Sequence, residues 1–328
     1  MTQKIVYLGM GGTIAGTAES AGDNVGYTAA QVGVAALLQG VPGLQRVLGD
    51  CQAVSEQVCQ IDSKDLVQAD WLTLLGRVMH HLAQPEVAGV VVTHGTDTLE
   101  ETAFFLSLAV PADLLQAKPL VLTCAMRPAS SLTPDGPGNM TDATSVALCR
   151  GAHGVLVVCA GKIHSAAHVQ KVHPYRVDAF DSGEAGPVGL VEEGGVRLLT
   201  AWPVLDALRP VMVPALRQTQ AWPRVELLVS HAGASGAVVR AVLQAQDGQP
   251  PLRGLVVAGT GNGTLHKEME LALEEAQRQG VRVVRVSRCA YGQVVGGSGS
   301  AGSGAFPAYG LSAVKARIAL TLELAALP

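Results

Sequence analysis

"GVVVTHGTDTLEE", Gly89–Glu101, opens as a buried strand and changes character within two residues. Three valines give way to a histidine, a glycine and a run of hydroxyls and carboxylates, in a chain only 15% charged. Leu99, Ala103, Leu106 and Val110 then recur at helical spacing. The polar cluster is therefore expected at the C-terminal end of a central parallel strand, the edge at which open α/β sheets bind ligands. Thr98 with Glu101, or Asp97 with Glu100, also fits a capping box that satisfies the free amides of a helix start. On this stretch alone, capping is the simpler reading, because every helix needs a start.

The rest of the chain repeats the pattern. "KIVYLG", "PLVLTC" and "GVLVVCA" in the first half, and "VELLVSHAG", "GLVVAGTGNG" and "VRVVRVS" in the second, alternate with helix-period segments. One of these, "WLTLLGRVMHHLA", sets Leu72, Leu75, Met79 and Leu82 on one face, and "KEMELALEEAQRQG" ends on a glycine suited to a helix C-terminus. The fold class is α/β, with two domains that are each a mostly parallel sheet flanked by helices. The larger N-terminal domain is expected over 1–200 and the smaller C-terminal one over 224–328. Between them, Trp202, Pro203, Pro210, Pro214, Trp222 and Pro223 mark 201–223 as a linker. The glycine and serine run from Gly296 to Pro307 reads as a flexible loop.

Composition narrows the function classes. The 328 residues are 48% hydrophobic with a net charge of −4, and the lysines and arginines are dispersed, so nothing asks for nucleic acid. No apolar run reaches a membrane span, and the opening residues do not read as a signal peptide, so a cytoplasmic protein without membrane partners is expected. The six cysteines form no C-x-x-C pair and read as reduced thiols.

"IVYLGMGGTIAG" is a second strand and glycine turn, with Thr13 at the turn. A dinucleotide fingerprint fails here, since the third glycine would fall on Ile14 and no acidic residue stands at the ribose-binding distance. The small, polar stretch that follows carries Tyr27 and reads either as a lid able to deliver that tyrosine or as an ordinary exposed loop. A metal-dependent hydrolase rests only on His164 and His168 at helical i, i+4 spacing, with His173 as a loose third ligand. No glutamate stands beside His164 as H-E-x-x-H requires, so no metal and no other cofactor is expected. No G-x-S-x-G elbow occurs. A member of an enzyme scaffold that binds a small amide without turning it over is a further alternative.

"GMGGTIAGTAES" followed by Tyr27, "THGTDTLEETAFFL" and "AMRPASSLTPDGPGN" resemble, in order and spacing, the bacterial-type L-asparaginases and glutaminase-asparaginases. "QVCQIDSKDL", "KIHSAAHVQKVHPYRVDAF" and "GTGNGTLHKEM" extend the resemblance over nearly the whole chain. It implies hydrolysis of the side-chain amide of asparagine, or of glutamine or a related amide, to the acid and ammonia through an acyl-threonine. Thr13 matches the nucleophile, assisted by Tyr27, and Thr96, Asp97 and Lys171 match a second triad. Ser63 and Asp97 match positions that hold the substrate's α-carboxylate and α-amino group, and the Ala125 carbonyl matches the contact to the leaving amide. Asn262 and Thr264 stand as further polar contributors to substrate binding. The family's assembly implies a homotetramer of intimate dimers, in which the C-terminal domain of one subunit completes its neighbour's site.

Lys64 departs from the pattern, which carries Gln or Glu immediately after the matched serine. The enzymes it most resembles also bring a glutamate from the loop equivalent to Gly296–Pro307, where this chain has no acidic residue. A recognition pocket that gains one positive charge and loses a negative one predicts weaker use of free asparagine, or a preference for an amide with a blocked amine or an added acidic group, unless Lys64 points to solvent, where its charge is silent. Lys171 presents a tension of its own: burial would free it to act as a base, whereas Asp97 holds it charged, as an electrostatic stabiliser.

Overall fold

The computed structural model describes residues 2–204, 222–245, 248, 250–296 and 306–326. The chain divides into two units, Met1–Arg209 and Pro210–Pro328. Residues 205–221 of the expected linker, and 297–305 of the expected flexible loop, lie outside the described residues.

The first unit is built on an eight-stranded sheet. Its strand order is Gly195–Leu198, Gly189–Glu192, Lys162–Ser165, Val155–Cys159, Leu120–Thr123, Val87–Thr93, Lys4–Gly11 and Gln52–Ile61. The last five of these pair in parallel, and the first four pair with one another antiparallel. Numbered along the chain, the parallel strands run 2-1-3-4-5, so the winding reverses between Lys4–Gly11 and Val87–Thr93. In doubly wound sheets a crevice opens at that reversal, beyond the carboxyl ends of the two strands. The parallel run ends at Cys159, where a two-residue turn with Ala160 and Gly161 both at positive φ folds the chain back into Lys162–Ser165.

The apolar runs become central strands because both faces are covered. Val90, Val91 and Val92 are fully buried, as are Val121, Leu122, Leu156 and Val157 in the neighbouring strands. The Leu99–Ala109 helix buries residues on every side, including Leu99, Ala103, Phe104, Phe105 and Leu106. In the Gln68–Leu82 helix the buried face is Trp71, Leu74, Leu75, Val78 and Leu82, while Leu72 and Met79 are only half-buried. The expected stripe was thus rotated, because Trp71 and Leu74 occupy the helix's core side. Gln52–Ile61 is a strand that periodicity did not announce: it lies at the sheet edge and most of its side chains are exposed.

The second unit is smaller and repeats the plan. Arg224–Val229, Leu252–Gly259 and Arg282–Ser287 form a three-stranded parallel sheet. The Ala237–Gln244 and Lys267–Arg278 helices bury Val239, Met269, Ala272 and Leu273 in one apolar cluster with Leu255 and Val257. The Ala313–Ala326 helix closes a second cluster with Val256, Val284 and Leu320. Among the described residues no helix is long and apolar enough to cross a membrane.

Candidate active site

The carboxyl ends of four adjacent strands carry the candidate residues in strand order. Ser63 follows Gln52–Ile61, Thr13 follows Lys4–Gly11, Thr96 follows Val87–Thr93 and Ala125 follows Leu120–Thr123. Thr13 and Thr96 flank the winding reversal. Gly12 adopts φ 82°, and a Cβ built on it would lie 2.2 Å from the Gly95 Cα. The backbones of the two threonine turns are therefore in van der Waals contact, and only glycine allows it. A Cβ built on Gly95 would meet the Ser63 Oγ at 2.5 Å and the Gly12 Cα at 3.1 Å, so the serine hydroxyl lies against the same residue.

Each threonine has a polar partner from a peripheral hairpin. Tyr27, in a strand pair formed by Thr17–Ala18 and Tyr27–Thr28, shares a 2.7 Å hydrogen bond between its hydroxyl and the Thr13 Oγ1. The segment between them is tied down: the Ala30 amide donates to the Gly12 carbonyl at 3.0 Å, and the Ala129 amide donates to the Gly16 carbonyl at 2.9 Å. Lys171, opposite Phe180 in a short antiparallel pair, donates from Nζ to Thr96 Oγ1 at 2.9 Å and to Asp97 Oδ1 at 2.6 Å. Asp97 is half exposed, and exposed ion pairs add at most about 1 kcal/mol to stability, so the value of this pair is positional.

Ala125 is oriented by its neighbours. The Asp135 carboxylate accepts from the Met126 and Arg127 amides, both at 2.9 Å, and Asn139 Nδ2 donates to the Cys124 carbonyl at 2.9 Å. Because a trans peptide is planar, fixing the Met126 N–H fixes the Ala125 carbonyl pointing the opposite way. The sequence motif contained Asp135 and Asn139 but offered no reason for either.

Thr98 corrects the capping reading. It occupies the N-cap position of the Leu99–Ala109 helix but makes no side-chain cap; its hydroxyl donates instead to the Ser63 carbonyl at 2.8 Å. His94, which sequence reasoning passed over, is fully buried with both ring nitrogens engaged. Its one signal was a polar ring interrupting an apolar run.

Lys64 does not stand as a free charge. Its ammonium contacts Asp62 at 2.8 Å and Asp65 at 3.0 Å, with more than half of the side chain exposed. The two aspartates of its own turn hold it protonated, well above the usual lysine range. Asn262 and Thr264 belong to the second unit: Asn262 exchanges hydrogen bonds with the Val295 backbone at 2.7 and 2.8 Å, and Thr264 Oγ1 meets Thr260 Oγ1 at 2.8 Å. The metal reading loses its premise, since His164 is on the Lys162–Ser165 strand and not on a helix. His164 Nδ1 meets Ser182 Oγ at 2.8 Å, His168 Nδ1 meets Ser165 Oγ at 3.0 Å, and His173 Nδ1 accepts two backbone amides. Among the described residues no three His, Cys, Asp or Glu side chains converge on a metal position.

Comparison with known proteins matches residues 4–203 to the family model of the asparaginase N-terminal domain and 224–326 to that of the glutaminase/asparaginase C-terminal domain. A glutaminase-asparaginase of Pseudomonas fluorescens is 36% identical over 86% of this chain and 75% of its own length. The L-asparaginase 2 of Bacillus subtilis is 34% identical over 97% of this chain and 81% of its own. A crystal structure described as a probable cytoplasmic L-asparaginase from Campylobacter jejuni superposes with a TM-score of 0.88 at 33% identity, covering 99% of this chain and 96% of that one.

The contact between the two turns is testable by itself. Gly12→Ala places a methyl in the Gly95 backbone and an L-residue at positive φ, which costs about 2 kcal/mol or more. Urea unfolding should show the loss as a lower midpoint, and an unchanged midpoint would mean that the turns are not in contact.

Proposed function

The chain belongs to the asparaginase family, and on that premise we propose that it hydrolyses the side-chain amide of L-asparagine to the acid and ammonia, with Thr13 as the nucleophile. The observation that carries this reading is the pairing of both strand-end threonines with a polar partner, the Tyr27 hydroxyl at 2.7 Å and Lys171 Nζ at 2.9 Å. A threonine hydroxyl attacks only when its proton has somewhere to go. The Thr13 oxygen forms a bond to the amide carbon, its proton passes through the Tyr27 hydroxyl to the amide nitrogen, and the C–N bond breaks to release ammonia. Water then attacks the ester carbon, the bond between that carbon and Thr13 Oγ1 breaks, and a proton from the water restores the threonine hydroxyl.

Lys171 Nζ donates to both Thr96 and Asp97. We assign it to stabilising developing negative charge, with the amides of the glycine turns, and Asp97 to positioning it. Ser63 and Asp97 are assigned to the substrate's α-carboxylate and α-amino group, and the Ala125 carbonyl to the departing amide. Glutamine and related amides are the nearest alternative substrates, a choice favoured by the similarity to a glutaminase-asparaginase. Location in the cytoplasm is extended to this chain from its Campylobacter relative.

Thr13→Ala and Thr96→Ala should each lower ammonia release from asparagine by roughly a thousandfold or more while leaving unfolding midpoints close to wild type. An unchanged rate for either would remove the two-threonine mechanism.

Lys64 enters this reading with its charge already matched, so the weaker use of free asparagine expected from sequence does not follow from it. Lys64→Gln should leave kcat/KM for asparagine within about twofold, since an exposed, locally paired charge adds little. A panel of asparagine, glutamine and N-acylated asparagine on both proteins checks this; a selective gain for the free amine in the variant would return Lys64 to the pocket.

The assembly proposed is a homotetramer, with Asn262 and Thr264 of the C-terminal unit contributing to a neighbour's site. Sedimentation velocity of the active protein should give a species of four chains. A fully active monomer would contradict it.

A further inference from the structure

The histidine that interrupts the central strand is held in a chain of hydrogen bonds whose directions can be assigned. His94 Nδ1 lies 2.7 Å from the Gly95 carbonyl, His94 Nε2 lies 2.9 Å from Thr102 Oγ1, and Trp71 Nε1 donates to the same Thr102 oxygen at 2.9 Å. A carbonyl only accepts, so Nδ1 carries the proton. Nε2 of a neutral ring is then bare and takes the Thr102 hydroxyl proton, while the indole fills a lone pair of that hydroxyl. Every group finds a partner in this one arrangement. The charged ring would turn an N–H toward Thr102 and leave the hydroxyl proton without an acceptor, and burial reinforces the choice by pushing the ring's pKa down to about 4.

We propose that His94 is a positioning residue, which as the neutral Nδ1–H tautomer ties Thr102 to the Gly95 carbonyl and so fixes the peptide that presents Thr96 to Lys171. The Gly95 carbonyl and the Thr96 nitrogen belong to one planar unit, so a hydrogen bond on the first sets the orientation of the second. The strand alone leaves this peptide without a ladder: the last register pair of Val87–Thr93 is Thr93 with Thr123, and the last backbone bond onto it runs from the His94 amide to the Thr123 carbonyl at 2.9 Å. Beyond that point the hydrogen bond on the Gly95 carbonyl comes from the histidine ring. The far end of the relay is rigid, because Trp71 stacks on Phe105 with ring centroids 5.0 Å apart and planes 10° from parallel. Thr102 and Phe105 share the Leu99–Ala109 helix, whose first turn also sends Thr98 to Ser63. One buried helix thereby indexes both the Thr96 and the Ser63 turns.

The consequence for turnover rests on the assignment of Thr96 to the chemistry, so the test separates the two. Thr102→Val keeps the shape and removes the donor to Nε2; Thr102→Ser restores it. With asparagine, Thr102→Val should lower kcat tenfold to a hundredfold, with KM within a factor of about three, and Thr102→Ser should recover most of the loss. His94→Asn retains a donor near the Nδ1 position and should keep more kcat than His94→Gln, which retains only the Nε2 end. Histidine 15N spectra read the relay without any turnover: the ring whose signal disappears in His94→Asn should be a neutral Nδ1–H tautomer in wild type and in Thr96→Ala, and its Nε2 signal should shift in Thr102→Val, where that nitrogen no longer accepts the hydroxyl proton. A wild-type Nε2–H tautomer, wild-type kcat in Thr102→Val, or better turnover in His94→Gln than in His94→Asn would each overturn the proposal. If wild type releases no ammonia from asparagine, the assigned reaction fails. The tautomer spectra, with the shift of the Thr96 amide signal in Thr102→Val, then decide the relay alone.

Discussion

The close approach of the Gly12 and Gly95 backbones is the constraint on which the site depends. Two parallel strands side by side bring their carboxyl ends level, but a pair of turns with side chains at those positions would be forced apart. With a Cβ excluded on both, the turns touch, and the threonine that follows each glycine is presented over the winding reversal of the sheet. Everything else in the site is added around that contact: Ser63 against Gly95 from one neighbouring strand, and Ala125 from the other. Neither threonine needs a strained conformation of its own, since the positive φ angles beside Thr13 fall on Gly11 and Gly12.

Charge plays a smaller part than the residue types suggest. Lys171, Asp97, Lys64, Asp62 and Asp65 all lie near the strand ends, yet both lysines are matched locally by aspartates. Direction comes instead from hydrogen bonds to planar peptide units. Asp135 sets the Ala125 carbonyl by holding the next amide, and His94 holds the carbonyl on the peptide of Thr96. Both devices act on the backbone, so they orient groups without competing for the side chains that would meet a substrate.

Strand, glycine turn and helix were legible because local rules agree there: three consecutive valines, a turn glycine and i, i+4 apolar spacing all lead to the same structure. Gln52–Ile61 was not, because an edge strand with exposed faces has no apolar period to read. His164 and His168 looked like a helical pair only because spacing does not say which period applies; the chain had already turned into an antiparallel strand at Ala160 and Gly161. Lys64 was left between a pocket charge and a solvent-facing one because a sequence cannot tell whether flanking aspartates fold back on a lysine, and here a short turn makes them do so. The Trp71, Thr102 and His94 relay was hidden for a different reason. Its members come from a strand end and two helices, and no local pattern links positions 71, 94 and 102.

Magnitudes explain how the helix after the site can spare its capping residue. A threonine cap contributes about 1 kcal/mol, and the Leu99–Ala109 helix forgoes it when Thr98 turns to the Ser63 carbonyl. Burial of an apolar side chain contributes about 1.5–3 kcal/mol, and Leu99, Phe104, Phe105 and Leu106 are all fully buried. Packing therefore exceeds the lost cap several times over. A surface helix with one apolar stripe would have less to set against that loss, and its first turn would be correspondingly less free to serve a neighbouring loop. The polar run that follows the valines in Gly89–Glu101 is affordable because the helix behind it buries eight of its eleven residues.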